Sequence, residues 1–402
     1  MNEYPVARPV EAVSFETEGR KMVSLSDPEG FSDVSLAVSL PAFFIITQMN
    51  GQRNVSQICD EFYRQFHQPV LNEDILSLIS QLDDNLFLDN ARFKERKATA
   101  LKSFLADKTR RAVFAGKSYP DDEKQLNGLI DKWLTERSPK NGNLVKAIIV
   151  PHIDFHVGGD MMAAGWREIR NSDADLFVIL GVGHSLSEDF FACVDKDFST
   201  PLGVMKVDSG FLAALRVNFG EEIYSQADAH RNEHSIEFQS LFMSHMAKQR
   251  PGIRSAPILL SFPENIWSIS HPVFNGERID RFIEALKKTA QDDRRKICFV
   301  ASVDFSHVGA RFGDTFKLTT DELKRIENDD RELIDAILSL DTGRFMAKIL
   351  QTNSRNRVCG FPALYTLLKV IKAGRGELIE YRQNLENAGE TMVSFASLAL
   401  SE

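Results

Sequence analysis

Three short apolar runs in this 402-residue chain each end in a loop that carries a histidine, and this pattern constrains the fold more than any other feature. Residues 147–150 are followed by His152, residues 175–180 by His184, and residues 296–302 by His307. Short runs rich in β-branched residues and bounded by glycine or proline are typical of buried strands. Because helical patterns separate these runs, we expect a largely parallel sheet with helices on both faces, which is an α/β fold.

The loops after these strands form the predicted functional site. In an open α/β sheet the carboxyl ends of parallel strands share one edge, where ligands bind. We therefore expect His152, His184 and His307 to converge, although any one of them alone is equally compatible with an ordinary structural histidine. Imidazole groups bind Fe, Cu, Zn or Ni, so the residue types leave the metal open. Asp304, three residues before His307, is predicted to orient a ligand or a base.

Two further segments extend the predicted sheet. Gly158 and Gly159 are predicted to let the backbone turn closely into a helix that begins near Asp160. Residues 377–381 and 391–397, joined around residues 387–389, are predicted to form an antiparallel hairpin at the sheet edge.

A second histidine cluster offers an alternative chemistry. His230, Glu233 and His234 match H-x-x-E-H, the inverted zinc-peptidase signature. On one helix the two histidines would share a face, with the glutamate as general base. The peptidase interpretation leaves the three strand-end histidines without a role. We therefore favour a helix that begins here and aims Glu233 and Glu237 at the shared site.

Cys359 is the cysteine that the sequence marks for chemistry. It lies in a glycine- and proline-bearing turn before a predicted helix, where the helix dipole favours a thiolate. Cys359 is therefore a candidate metal ligand or redox group, whereas Cys193 and Cys298 lie in apolar runs and are expected to pack in the core. The four cysteines show no C-x-x-C spacing, which favours a reducing compartment.

Composition excludes several classes of function. A 43% hydrophobic and 26% charged chain is typical of a soluble globular protein. The net charge of -9 argues against a nucleic-acid partner, since phosphate binding needs a concentrated basic surface. No apolar run approaches the roughly 20 residues of a membrane-spanning helix. The start of the chain lacks the features of a secretory signal, so we expect a cytoplasmic protein with no membrane partner.

The first part of the chain is predicted to be a separate module. We expect a leader or hairpin arm over residues 1–36, a winged-helix-like module over 37–95, a helical connector over 96–143, and the α/β domain over 144–402. Helical patterns cover residues 40–49 and 55–65 and resume at Asn72, and the apolar residues 86–88 suggest a wing.

This module resembles the PqqD-like peptide-recognition domains. The resemblance rests on Met49-Asn-Gly51, Ile58, Phe66, Asp74-Ile75 and Leu82-Asp-Asp-Asn-Leu-Phe-Leu88. It implies a peptide or protein partner that binds as an added strand at an exposed edge of the wing. The alternative is a module that only covers the mouth of the metal pocket.

The α/β domain resembles the Memo family, which includes the protein B component of the AmmeMemoRadiSam system. Six motifs occur in the family's order over residues 145–401: Pro151-His152, Leu180-Gly-Val-Gly-His184, Thr200-Pro-Leu-Gly203, Glu233-His-Ser-Ile-Glu237, Ser302-Val-Asp-Phe-Ser-His307 and Cys359-Gly360. The family is similar in fold to the class III extradiol dioxygenases, which use non-haem iron. Asp154 departs from the family pattern and is a candidate additional oxygen ligand.

The resemblance also implies site residues and partners. Carried over motif by motif, it assigns His152, His184 and Cys359 to the metal, with iron or copper favoured over zinc. His307, Asp304 and His234 would complete the pocket as catalytic groups. The implied function is a metal-dependent oxidoreductase that acts with a radical-SAM partner. The alternative is a metal- or peptide-binding carrier without catalysis. Because the dioxygenases normally use a carboxylate where this chain has Cys359, catechol cleavage is not expected.

Overall fold

The chain forms two compact units, Met1–Ala106 and Asp107–Glu402. The structure is a computed structural model that describes residues 4–17, 19–32, 34–136, 138, 145–186, 188–271, 275–352, 355–386 and 389–402. The division between the units lies inside the segment that the sequence predicts as a connector, so residues 107–136 belong to the second unit. Among the described helices, none is both long and apolar enough to cross a bilayer.

The first unit combines a small antiparallel sheet with four helices. Its strands are β1 (Glu11–Thr17), β2 (Arg20–Ser26) and β3 (Leu36–Ser39), and its helices are α1 (Leu40–Gln48), α2 (Val55–Phe66), α3 (Asn72–Asp84) and α4 (Ala91–Ala106). The strands pair in the order β1-β2-β3. A capping box between Asn54 and Gln57 fixes the start of α2. The apolar faces of the strands and of α1 to α3 form one shared core.

The start of the chain lies against two other segments of the first unit. The main-chain N–H of Ala7 donates to the Met49 carbonyl at 2.7 Å, and the N–H of Asp89 donates to the Val6 carbonyl at 2.8 Å. Ala7 also forms a β-bridge with Leu88. The edge of the predicted wing is therefore covered by the chain's own residues, and the expectation that it is exposed is wrong.

The second unit is built around a large sheet. Its helices are α5 (Glu123–Thr135), α6 (Phe155–Ile169), α7 (Ser209–Phe219), α8 (His234–Ala247), α9 (Gly276–Asp292), α10 (Thr320–Leu338), α11 (Thr342–Thr352) and α12 (Phe361–Val370). Its strands are β4 (Thr109–Arg110), β5 (Val145–Val150), β6 (Leu176–Val182), β7 (Phe191–Cys193), β8 (Asp197–Thr200), β9 (Gly203–Met205), β10 (Arg254–Leu260), β11 (Ile297–Ser302), β12 (His307–Gly309), β13 (Arg375–Glu386) and β14 (Thr391–Ser401). The α/β prediction is confirmed.

The large sheet is mixed rather than largely parallel. Its strands follow the order β12-β14-β5-β11-β6-β10-β7, and β13 pairs with β14. Only β5, β11, β6 and β10 run parallel to one another. β7 and β14 flank this group in the antiparallel direction. The parallel strands are buried on both faces, which explains why their sequences are continuous apolar runs instead of alternating patterns.

The predicted hairpin is confirmed, and it is longer than expected. β13 and β14 pair in antiparallel register from Arg375 with Ser401 to Glu386 with Thr391. Of the predicted turn, residues 387 and 388 lie outside the described part of the chain. β14 also pairs with β5, so the hairpin is joined directly to the strand that precedes His152.

The helix after β5 begins earlier than predicted, at Phe155. Asp154 is its N-cap, with a side-chain oxygen that accepts from the His156 N–H at 2.9 Å. Gly158 and Gly159 therefore lie inside α6 and form no turn. A Cβ at Gly158 would lie 2.4 Å from a methyl group of Ile153. The two glycines provide close packing against neighbouring side chains, which the sequence pattern does not distinguish from a turn.

Candidate metal centre

The carboxyl ends of three neighbouring parallel strands build the candidate site. β11 pairs with β5 on one side and with β6 on the other. His152, His184 and Asp304 each follow one of these strands by two residues, so the topology brings the three loops to the same sheet edge. The α8 helix adds His234, its first residue, next to the end of β6, because Ser235 Oγ donates to the Val182 carbonyl at 3.0 Å.

His152, His184 and His234 form a compact cluster. Each offers one ligand atom, and these atoms lie within 4.8 Å of one another. The rings of His184 and His234 stack with centroids 4.8 Å apart and an interplanar angle of 16°. The His152 ring is nearly perpendicular to both, with centroids 5.2 Å away. Three nitrogen donors at this spacing can hold one metal ion.

His152 is fixed in one orientation by main-chain and carboxylate contacts. Its Nδ1 lies 2.8 Å from the Ser302 carbonyl, which can only accept, so Nδ1 carries the proton. Nε2 is therefore left with its lone pair on the side of Cys359, whose Sγ lies 3.6 Å away. The main-chain N–H of His152 donates to Asp304 at 3.0 Å. This orientation by a partner on the second ring nitrogen is typical of metal-ligating histidines.

His184 is oriented by Glu233. Its Nδ1 lies 3.0 and 3.1 Å from the two carboxylate oxygens, and its main-chain N–H donates to one of them at 3.0 Å. Glu233 is the N-cap of α8 and also accepts from the Ser235 N–H at 2.9 Å. The proton on Nδ1 of His184 is thus held by the carboxylate, which leaves Nε2 as the available nitrogen.

The three histidines of the cluster differ in pKa, which is lowered for His152 and His234 and raised for His184. Burial lowers the pKa of His152 to about 3, and the positive charge of His184 acts in the same direction. Burial also lowers the pKa of His234 to about 3, against the attraction of Glu233. For His184, burial lowers the pKa but the charge and hydrogen bond of Glu233 outweigh it, so the net pKa is raised. Two of the three imidazoles are therefore neutral at pH 7 and ready to bind a metal.

Asp304 and His307 follow the end of β11, and Asp304 contacts the main chain of His152. Burial raises the pKa of the Asp304 carboxyl to about 6. His307 is the first residue of β12, and its Nδ1 lies 3.1 Å from the Phe305 carbonyl and 3.2 Å from the Arg357 carbonyl. Burial lowers the pKa of His307, and the Asp304 charge opposes this. The convergence predicted for three strand-end histidines thus holds for His152 and His184, while His234 joins them as the third member.

Cys359 borders the cluster through His152. Its Sγ–H can also donate to the Asp304 carbonyl at 3.6 Å. The expectation of a favoured thiolate is wrong, because burial and the nearby Asp304 charge raise the pKa of Cys359 well above its ordinary value. Gly360 allows this close approach, since a Cβ there would lie 2.6 Å from Val303 and 2.8 Å from the Asp304 carbonyl. The assignment of Cys359 as a metal ligand stays a prediction.

The H-x-x-E-H segment does not form a single helical face. His230 ends a 3-10 helix, Ala227–His230, whereas Glu233 caps α8 and His234 begins it. His230 is fully buried and its Nε2 contacts the Ala192 carbonyl at 3.0 Å. Among the described residues, the histidine cluster that can hold a metal does not include His230.

Glu237 is turned away from the cluster, and the expectation that it is aimed at the site is wrong. Its carboxylate is in contact with the Arg110 guanidinium and the Tyr119 hydroxyl, and it accepts from the Phe114 N–H at 2.8 Å. The Phe114 ring lies edge-on to the His234 ring, 5.8 Å between centroids. Arg110 and Phe114 are not among the predicted site residues, because both lie in the segment that is predicted to be a helical connector.

Comparison with known proteins agrees with this architecture. A family model described as Memo-like protein matches residues 110–399, well over half of the chain. The chain belongs to the Memo-like protein family. The resemblance seen in the sequence motifs is thereby confirmed, and the matched region contains the whole histidine cluster together with Asp304, His307 and Cys359.

Three MEMO1 family proteins illustrate how far the similarity to Memo-like proteins extends. One from Aquifex aeolicus is 27% identical over 383 residues, covering 94% of this chain and 96% of the relative. One from Pyrococcus furiosus is 28% identical over 303 residues, covering 72% and 98%. One from Thermus thermophilus is 22% identical over 349 residues, covering 87% and 99%. The Aquifex match is longer than residues 110–402, so it extends into the first unit.

Proposed function

We propose that this Memo-like protein binds a redox-active metal ion, iron or copper, through its histidine cluster and acts as a metal-dependent oxidoreductase. One observation carries the proposal. The ligand atoms of His152, His184 and His234 lie within 4.8 Å of one another at the carboxyl edge of the sheet. Imidazole nitrogens suit iron, copper and zinc, so zinc is the remaining candidate.

The surroundings of the cluster fit a metal ion. His152 and His184 each direct the second ring nitrogen to an oxygen acceptor, Ser302 or Glu233, as metal-bound imidazoles do. The Cys359 thiol beside His152 is a further donor for iron or copper. When bound, a redox metal at this site would supply an open coordination position to which a substrate or O₂ could bind.

The remaining residues provide proton transfer and orientation. The pKa of Asp304, raised to about 6, allows this carboxyl to exchange a proton near neutral pH. The lowered pKa of His307 keeps its imidazole neutral, and its Nδ1–H is held by carbonyl oxygens. We propose His307 as the base, with Asp304 tuning it through its charge. His234 would act at the metal rather than as the catalytic group expected from the family motif.

The decisive experiment is metal analysis of protein purified without added metal, followed by an O₂-uptake assay. His152→Ala and His184→Ala should each lose the metal while the far-ultraviolet circular dichroism spectrum stays unchanged. His245→Ala is the matched control, because His245 lies in the last turn of α8 and contacts Asp131. Full metal occupancy in both cluster variants would contradict the proposal.

A non-catalytic carrier is the rival function, because the same cluster can bind a metal or peptide without reaction. A carrier would retain stoichiometric metal and show no O₂ uptake with any reductant tested. His307→Gln separates the two. It should abolish O₂ uptake with metal retained if the protein is an oxidoreductase, and it should change nothing in a carrier.

The zinc-peptidase alternative differs from the proposed function in the role of His230. An H-x-x-E-H enzyme would need His230 as a ligand, whereas here its Nε2 contacts the Ala192 carbonyl. His230→Asn should therefore leave the metal content unchanged. Loss of the metal from a folded His230→Asn protein would support the zinc-peptidase interpretation instead.

For the first unit, we propose a peptide or radical-SAM protein as the partner. Because residues 6 and 7 cover the wing, we place the added strand at β1, which is one of the two outer strands of its three-stranded sheet. Phe15 on this strand is exposed. Phe15→Lys places a charge on the edge, which opposes strand addition. Capture of the radical-SAM protein by the full chain should fall in this variant with the metal content unchanged, and equal capture would contradict the proposal.

A further inference from the structure

Arg110 connects the segment before the sheet to the start of α8. It is 1% exposed and lies on β4, which pairs with β8 so that Arg110 is opposite Phe198. Its Nε donates to the His230 carbonyl at 3.1 Å, and its Nη2 donates to the Glu233 carbonyl at 3.0 Å. One guanidinium thus holds both ends of the turn that leads into α8.

The charge of Arg110 is balanced by Glu237, one helical turn beyond Glu233. The two side chains form a buried ion pair, with exposures of 1% and 0%. Glu237 also accepts from the main-chain N–H groups of Val113 and Phe114, at 3.1 and 2.8 Å. Because the Glu237 carboxylate is satisfied by these hydrogen bonds, the ion pair is stable in the interior and holds the two side chains in a single geometry.

The turn held by Arg110 carries the residues that shape the histidine cluster. The Glu233 carboxylate receives the main-chain N–H groups of His184 and Ser235 and the His184 ring, and His234 is the next residue in the chain. A shift of the Glu233 main chain would therefore move a carboxylate and an imidazole of the site together.

We propose that Arg110 is a positioning residue of the candidate metal centre. It acts through Glu233 and touches none of the three histidine rings of the cluster in the described contacts. The inference deepens the proposed metal-binding function and rests on it. Arg110 lies more than thirty positions before the first strand of the large sheet, in the segment that is predicted to be a helical connector.

The variant that tests this inference is Arg110→Lys. Lysine keeps the positive charge opposite Glu237, but a single ammonium group lacks the planar fork that reaches Glu237 and both the His230 and Glu233 carbonyls at once. The matched control is Arg295→Lys. Arg295 is likewise held by ion pairs, with Asp208 and Asp293, and it lies just before the amino end of β11, opposite the histidine edge.

Amide hydrogen exchange and Co²⁺ affinity are measured on the full-length wild type and on both variants. In chelator-treated protein, the amides of His184 and Ser235, both bonded to Glu233, should exchange with solvent about tenfold faster in Arg110→Lys than in the wild type. The Co²⁺ dissociation constant should rise by about 10–100-fold, with a changed visible absorption spectrum, as for other losses of ligand support. Arg295→Lys should change neither quantity.

Unchanged exchange at both amides in a folded Arg110→Lys protein would overturn the inference. If Arg110→Lys does not fold, the double variant Arg110→Gln with Glu237→Gln decides instead, because it leaves no unpaired charge buried and still cannot reach the Glu233 carbonyl. A wild-type protein that binds no Co²⁺, iron or copper would refute the proposed function. The exchange of the two amides would still decide the role of Arg110.

Discussion

Glu233 and His184 are joined by two parallel interactions, since one carboxylate receives both the main-chain N–H and the ring Nδ1 of the histidine, at 3.0 Å each. The backbone interaction fixes the loop after β6, and the ring interaction fixes the imidazole plane. The same carboxylate lies 3.4 Å from Nδ1 of His234. A single N-cap side chain thus orders two of the three clustered imidazoles.

Glu233→Gln should weaken metal binding about 10–100-fold without unfolding the protein. The amide keeps an oxygen acceptor but loses the negative charge that raises the pKa of His184, so the imidazole becomes a weaker donor to the metal. Isothermal titration with Zn²⁺ checks this prediction. Glu188→Gln, an exposed carboxylate in the loop after β6, is the control and should bind as the wild type does.

The metal-free protein should lose stability as the pH falls from 7 to 4.5. The folded pKa of His152 is about 3, below its ordinary value of 6.5, so the unfolded state binds more protons between these pH values. His234 acts in the same direction. The lowered pKa values of His230 and His307 add to this loss of stability. The raised pKa values of His184, Asp304 and Asp330 act in the opposite direction, and they are fewer than the four histidines whose pKa is lowered.

Urea unfolding with a chelator present checks this pH dependence. The buried His152 alone should account for roughly 2–3 kcal/mol of the loss at pH 4.5. His152→Gln removes this titration and should flatten the profile. The same slope in the wild type and the variant would contradict the assignment.

Gly360→Ala should destabilise the protein by about 1–3 kcal/mol, because its Cβ would overlap Val303 and the Asp304 carbonyl. The displaced turn carries Cys359, so the contact between Sγ and His152 should be lost as well. Gly128→Ala is the matched control. No atom lies within 4 Å of a Cβ at this helical position, and the change should stabilise α5 by about 0.5–1 kcal/mol. Equal unfolding midpoints for the two variants would contradict the steric argument.

Arg8→Ala should loosen the first unit and leave the metal content unchanged. Arg8 is buried against Asp27, at 2.9 Å, and its guanidinium lies 3.7 Å from the Phe93 ring centre. Removing it leaves the buried Asp27 carboxylate without its partner, at a cost of about 3–5 kcal/mol. Hydrogen exchange over residues 4–106 should accelerate. Arg92→Ala, in an exposed pair with Asp84, should have no measurable effect.

The parts of the site that the sequence predicts are those that follow from strand order. His152 and His184 end buried apolar runs, and parallel pairing brings such ends together whatever the loops contain. His234 was assigned to the pocket from a family motif, and its place in the cluster depends on the capping of α8 by Glu233. Sequence spacing does not show which of two glutamates at the start of a helix faces the histidine cluster, so the predicted orientation of Glu237 is wrong.

Other features depend on contacts between distant residues. The pairing of Arg110 with Glu237 spans 127 positions, and no local pattern marks it. The place of Cys359 before a helix predicts a lowered thiol pKa, whereas burial and the Asp304 charge raise it. Gly158 and Gly159 fit a turn and a close helix contact equally well, and only the neighbouring side chains decide between them.

The position of β14 has a consequence for the order of synthesis. This strand, Thr391–Ser401, is fully buried and bonded to β5, β12 and β13. β5 therefore acquires its second neighbour only when residues 391–401 have left the ribosome. A nascent chain that ends before them carries every histidine of the cluster but leaves one edge of β5 open to other strands. Ribosome stalling before residue 391 would therefore yield a chain that is prone to aggregation.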